Sequence, residues 1–183
     1  MTLDEQIFIA VNEALSGPAF STVFAWITRL GNGLVLAALT VAFFAVFDRE
    51  KLKTHLVPMA VAVALGGLAV TWAKVAVDRP RPANHFASKD VEVNTPIGTP
   101  SDMSFPSGHT QTAFGAATFL SCMYPVAAPF LLIAAALVGV SRMALGVHFP
   151  LDVLVGAIVG AAFALAGFHL NRKRLAGSWG RKK

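Results

Sequence analysis

Between Thr110 and Val140 the chain runs for 31 residues without one charged side chain. Soluble domains devote roughly 25% of their residues to charge and rarely leave such a gap. As a single helix the run would be about 46 Å long and would overshoot a hydrocarbon layer roughly 30 Å thick. Tyr124-Pro125 and Pro129 interrupt it. A proline inside a helix removes a backbone hydrogen bond and clashes with the preceding turn. The run therefore predicts two membrane spans joined by a tight turn at residues 123–129.

Three further runs have the length and apolarity of a span: Leu30 to Phe47, Leu56 to Ala73, and Leu151 to Leu170, the last interrupted only by Asp152. Charged residues are 14% of the chain and hydrophobic ones 55%. The predicted fold is all-α: a polytopic transmembrane bundle of five spans forming a single domain, 1–183. Residues 3–15 place Leu3, Ile7, Ala10, Val11 and Leu15 on one helical face with acids opposite. After Pro18, Phe20 to Leu30 forms another short piece. Neither is long enough to cross, so both are expected as interfacial helices on the outer surface or packed across the bundle. A sixth span over 7–30 would have to pass Gly17-Pro18 and Arg29.

The net charge of +5 is placed as a membrane protein places it. Arg49, Lys51, Lys53 and the tail cations Arg172, Lys173, Arg174, Arg181, Lys182 and Lys183 flank apolar runs in short segments, as the positive-inside rule requires. This distribution argues against nucleic acid as a partner and for membrane lipids. With those segments cytoplasmic, five crossings put the N-terminus and residues 78–106 outside and a basic tail, 171–183, inside. The first residues are acidic (Asp4, Glu5), unlike the basic start of a cleaved signal. The single cysteine, Cys122, allows no internal disulfide and reads as a small buried hydrophobe.

Some polar residues do not suit a lipid setting. Lys74, Arg79 and Arg81 follow the second span on the side where cations are disfavoured, which invites a bound anion. Pro106-Ser107-Gly108-His109 opens the third span. Ser107 is the natural N-cap there, and the helix start offers free N–H groups and a positive dipole end to a phosphate. Arg142 closes the fourth span. His148 precedes the fifth and Asp152 lies in its first turn, where a carboxylate can orient an imidazole and leave its other nitrogen free as base or nucleophile. By hydropathy alone, Lys74, Arg81, Ser107, His109, Arg142, His148 and Asp152 fall at one level, the outer helix ends. Cations and N–H donors suit a phosphoryl group, and two histidines can act as nucleophile and acid. Asp78, Asp90, Glu92 and Asp102 are scattered through a loop and are expected to be solvated. A zinc site of His85, His109 and His148 matches no zinc spacing. No metal and no cofactor are expected.

Lys74-x6-Arg81-Pro82, Pro106-Ser107-Gly108-His109 and Ser141-Arg142-x5-His148-x3-Asp152 together resemble the three-part signature of the type 2 phosphatidic acid phosphatase superfamily, in order and in spacing. The resemblance implies a metal-independent lipid phosphatase. His148 would attack phosphorus, Asp152 would orient it and His109 would protonate the leaving oxygen. Lys74, Arg81, Ser107, the Gly108 amide and Arg142 would hold the phosphoryl oxygens. Bacterial members of this kind sit in the inner membrane, here with the site facing the periplasm. They act on undecaprenyl pyrophosphate, phosphatidylglycerol phosphate, phosphatidic acid or the 1-phosphate of lipid A. A short core without added domains favours the compact head of undecaprenyl pyrophosphate. The alternative is a lipid phosphotransferase with the same residues and a second acceptor. The segment from Ala83 to Phe105, rich in Pro, Thr, Ser and Asn, is the expected specificity loop.

Overall fold

A computed structural model describes residues 1–101 and 103–180, with side chains described as far as 177. Every regular element among them is helical: α1 (Leu3–Ala14), α2 (Pro18–Ile27), a 3-10 turn (Thr28–Gly31), α3 (Gly33–Phe47), α4 (Arg49–Val77), α5 (Pro82–Phe86), α6 (Gly108–Met123), α7 (Ala128–Ala144) and α8 (Pro150–Gly180). The expected apolar runs are α3, α4, α6, α7 and α8. By length and composition α4, α7 and α8 each suffice to cross a bilayer, and α3 is a shorter apolar helix. The break between α6 and α7 falls where the prolines put it, with a short 3-10 turn at Pro125–Ala127.

The helix ends differ from the hydropathy in one consistent way. α4 begins at Arg49, so the basic stretch 49–53 is helical and only Asp48 turns the chain. α8 likewise continues through Arg172, Lys173 and Arg174. Charged residues with good helix propensity prolong a span beyond the hydrocarbon, where water satisfies their heads. Asp48 caps α4 by accepting from the Lys51 N–H. It also takes the Tyr124 hydroxyl at 3.0 Å, which fastens the α3–α4 turn to the α6–α7 turn.

Large apolar side chains face outward along the spans, among them Leu34, Phe47, Leu68, Trp72 and Val75. In lipid they have no reason to hide, so helix association rests on close packing and small residues. α6 is the central helix and lies against α8 at a Gly156-x3-Gly160 step. A β-carbon at Gly156 would stand 2.5 Å from the Ser107 carbonyl oxygen, and one at Gly160 2.3 Å from that of Gln111. Only glycine permits this approach. Gln111, buried between the helices, donates to the Val63 carbonyl at 3.0 Å and ties α6 to α4.

α1 and α2 do not join into one straight crossing; they meet at 112°. α1 begins with a capping box between Thr2 and Glu5. Its orientation inverts what its apolar stripe would do in a soluble protein. Leu3, Ile7 and Ala10 are exposed, and Glu5, Phe8 and Asn12 are the buried residues. Phe8 stacks on Phe86 and meets the Phe149 ring at a tilt of 57°. The Asn12 amide donates to the carbonyls of Asn94, Met143 and Ala144, and its oxygen accepts the Asn94 N–H at 2.9 Å. One polar side chain thereby pins both the long loop and the end of α7. The loop lies so close to Gly146 (φ 71°) that a β-carbon there would meet the Asn94 oxygen at 2.3 Å. The expected specificity loop is thus not structureless throughout. It starts as α5, and Val91 and Val93 pack against the Phe8, Phe86 and Phe149 cluster.

Candidate active site

The ends of α4, α6, α7 and α8 nearest the long loop carry the residues singled out by the sequence. His148 lies in the connector before α8 and is buried. Arg81 Nη1 donates to the Val147 carbonyl at 2.7 Å and stands 3.3 Å from His148 Nε2. A guanidinium can only donate, so Nε2 is the unprotonated, accepting nitrogen and the ring proton sits on Nδ1. That nitrogen faces Asp152 Oδ2 at 3.5 Å, an ion-pair distance and too long for a hydrogen bond. Burial holds the His148 imidazole down to about 4, and the Arg142 and Arg81 guanidiniums add to the effect against the opposing pull of Asp152. The ring is neutral at physiological pH, and its Nε2 lone pair faces Arg81.

Asp152, fully buried in the first turn of α8, serves more partners than the sequence suggests. It accepts Arg79 Nη1 at 2.7 Å, the Phe149 N–H at 2.8 Å and the Ser104 hydroxyl. Its own carbonyl accepts the Ser107 N–H at 2.9 Å, which fixes the start of α6 to the start of α8. Ser107 is the N-cap of α6, as expected: its oxygen accepts from the Thr110 hydroxyl at 2.9 Å and, at 3.4 Å, from the Thr110 N–H. With those lone pairs engaged, the Ser107 proton remains to be donated elsewhere. A β-carbon at Gly108 would meet nothing within 4 Å; the space beside that amide is open.

Lys74, in the last turn of α4, donates to the Met103 carbonyl, next to Ser104. Arg142 Nη1 bonds the Thr28 hydroxyl at 2.6 Å. The Arg142 carbonyl accepts the N–H groups of Val147 at 3.1 Å and His148 at 3.3 Å, holding the connector in its turn. His109 packs on the 3-10 turn, where a β-carbon at Gly31 would come within 2.8 Å of His109 Cβ. Direct contacts therefore join Arg81, Arg142, His148, Asp152 and Ser107, while Lys74 bonds the Met103 carbonyl and His109 packs on the 3-10 turn.

Arg79 is the exception among the three expected anion-binding cations, because both faces of its fork go to carboxylates: Asp152, and Asp4 of α1 at 2.5 Å. Sequence reasoning also passed over Ser104, Thr28 and Asp4. Asp78, Asp90 and Glu92 are exposed, as expected; Asp102 lies outside the described residues. His85 sits on α5 and contacts Glu5 at 2.6 Å. Cys122 is half-buried rather than buried. Among the described residues no three His, Cys, Asp or Glu side chains gather as a metal site.

Residues 55–176 match the family described as the PAP2 superfamily. The chain belongs to that superfamily. It is 34% identical to the decaprenylphosphoryl-5-phosphoribose phosphatase of Mycolicibacterium smegmatis over 84% of its own length and 81% of the relative's. The crystal structure of LpxE from Aquifex aeolicus superposes with a TM-score of 0.77 and 34% identity, covering 92% of this chain and 96% of that one. A transmembrane PAP2 type phosphatidylglycerolphosphate phosphatase from Bacillus subtilis gives a TM-score of 0.71 at 25% identity, over 94% and 88% of the two chains. The PAP2 protein described here is a membrane phosphatase.

Proposed function

We propose that this PAP2 protein releases phosphate from undecaprenyl pyrophosphate at the periplasmic face of the inner membrane, through a phosphohistidine on His148. The observation that carries the chemistry is the His148 Nε2 environment: neutral, buried, accepting from Arg81 and backed by Asp152 across Nδ1. Nε2 attacks the terminal phosphorus as the P–O bond to the lipid phosphate breaks. His109 gives its proton to the leaving oxygen. Water, deprotonated by the same His109, then attacks the phosphohistidine and releases inorganic phosphate. Positioned proton transfer of this kind contributes about 10²–10⁴-fold.

Lys74, Arg81, Arg142, the Ser107 hydroxyl and the Gly108 N–H hold the phosphoryl oxygens. The positive end of α6 adds its dipole where transition-state charge accumulates. No step needs a metal. The chain is one catalytic domain, 1–183, and its basic end from residue 171 lies in the cytoplasm, with the cations of 48–53 on the same side. A polyprenyl tail would lie along the exposed apolar face of α4, where Leu65, Leu68, Trp72 and Val75 lead up to Lys74. The relative named for a decaprenylphosphoryl lipid supports this tail class.

Purified protein in detergent, given undecaprenyl pyrophosphate, phosphatidylglycerol phosphate, phosphatidic acid and a lipid A 1-phosphate at equal concentration, decides the substrate. The highest kcat/KM is expected on undecaprenyl pyrophosphate. A higher value on any of the others overturns the assignment.

A further inference from the structure

We propose that Asp4 and Arg79 form a positioning pair for the reaction, through which the surface helix α1 sets the placement and charge of Asp152 behind His148. The pair rests on the reading of His148 as nucleophile.

Arg79 is held on every side. Nη1 bonds Asp152 Oδ1 at 2.7 Å and Nη2 bonds Asp4 Oδ2 at 2.5 Å. Its guanidinium lies 4.0 Å from the Phe149 ring centroid, and its carbonyl accepts the Ser104 N–H at 2.8 Å. Asp4 uses its other oxygen to accept the Leu151 N–H at 2.8 Å, one of the free donors in the first turn of α8. The carboxylate therefore fastens the helix end that carries Asp152 and, through Arg79, grips the Asp152 side chain as well.

A fully buried carboxylate beside a neutral imidazole needs a counter-charge. Arg79 supplies it through Oδ1. Oδ2, the oxygen that faces His148 Nδ1 at 3.5 Å, also accepts the Phe149 N–H and the Ser104 hydroxyl, so Arg79 acts on the imidazole through the charge and placement of the carboxylate. Asp4 draws part of the Arg79 charge away from Asp152, which leaves Asp152 able to stabilise the cation that forms when Nε2 bonds phosphorus. Among the described residues the charged groups facing the imidazole are Arg81, Arg142 and Asp152. Those facing Arg79 are Asp4 and Asp152. Lys74 and His109 stand on α4 and α6 at the same level. Among the described residues Arg79 is the cation that bonds Asp152 directly, with Asp4 behind it, and neither belongs to the proposed phosphoryl pocket.

The two residues should act in opposite senses on one observable. In Asp4→Asn the whole Arg79 charge falls on Asp152, so protonation of His148 is disfavoured and the acid limb of kcat/KM moves to lower pH. In Arg79→Gln the carboxylate is uncompensated, protonation of His148 is favoured and the same limb moves to higher pH. Turnover should fall in both, on the order of 10–100-fold by analogy with partners behind metal-bound ligands, with KM little changed. The double variant should resemble Arg79→Gln alone, because Asp4 acts through Arg79.

The experiment measures kcat, KM and pH profiles for these variants and His148→Ala on a short-chain lipid phosphate, beside apparent thermal stability. Additive losses with an unmoved acid limb would make the pair a mere anchor. A raised KM at unchanged kcat would make Arg79 a substrate ligand. Either overturns the proposal. Turnover in His148→Ala would instead overturn the nucleophile reading beneath it. Should Arg79→Gln fail to fold, Arg79→Lys carries the test, because one ammonium cannot bridge both carboxylates as the planar fork does; a wild-type profile there also counts against the pair.

Discussion

Gly156→Ala adds one methyl group at the contact that sets the height of the site. The new β-carbon would stand 2.5 Å from the Ser107 oxygen and 3.3 Å from Thr110 Cβ. Comfortable heavy-atom contacts need about 3.5 Å, so α6 and α8 must part by roughly 1 Å. The Ser107 N–H to Asp152 carbonyl bond, now 2.9 Å, would then pass out of range. Overpacking costs about 1–3 kcal/mol, and replacing a helical glycine by alanine recovers about 1 kcal/mol. The net loss of stability is therefore modest, about 0–2 kcal/mol. Activity should suffer far more, because a 1 Å misplacement of reacting groups can cost on the order of 10²-fold. Phosphate release by purified Gly156→Ala, with melting followed in the same detergent, tests this. Gly33→Ala is the control, since its β-carbon would meet nothing within 4 Å. Retention of half or more of the wild-type rate by Gly156→Ala would refute the idea that the α6–α8 contact sets the site.

Gly108→Ala should fold normally, its β-carbon meeting nothing in the structure, yet raise KM by crowding the phosphoryl position; an unchanged KM in steady-state assays would mean that the amide binds no phosphate. Because His148 is held neutral down to about 4 from its ordinary 6.5, the unfolded chain takes up this proton first, so its contribution to stability is full above pH 6.5 and is lost as pH falls toward 4. Melting curves of wild type and His148→Gln should show a smaller loss over that interval in the variant. Asp152→Asn should lower turnover on the order of 10²-fold or more, by analogy with the carboxylate of the serine-protease triad. It should also lower stability, since Arg79, Ser104 and the Phe149 N–H lose an anionic partner. In a Cys122→Ser background, a cysteine at Ser88 should label from the periplasm and one at Ala176 should not.

Hydropathy located the apolar helices because lipid imposes one rule on every segment, and the prolines at 125 and 129 marked the break inside a charge-free run; of the five expected spans, α4, α7 and α8 have the length and composition to cross. It could not place the ends of α4 and α8, where helix propensity carries charged residues on past the hydrocarbon. It read α1 as an interfacial or bundle-packed helix without showing which residues turn inward. An apolar stripe is buried where the solvent is water, but here Leu3 and Ile7 face outward while Glu5 and Asn12 turn inward to bond other segments. The cluster around His148 was legible because its members sit at fixed short spacings at helix ends. Its partners were not. Asp4 reaches Arg79 across 75 residues, Thr28 reaches Arg142 across 114, and Ser104 reaches Asp152 from a loop without periodicity. Nothing local marks such residues, because tertiary packing alone brings them together.

The central claim is that phosphorus becomes bonded to His148, and trapping that species tests it most directly. His109→Ala, which lacks the leaving-group acid, would be incubated with a radiolabelled substrate whose leaving group needs no protonation and quenched in alkali, where phosphohistidine survives. Peptide mapping should then find the label on His148 and lose it on brief acid treatment, with no label in His148→Ala/His109→Ala. Label on another residue, or an unlabelled protein that still turns the substrate over, would contradict a phosphohistidine at His148.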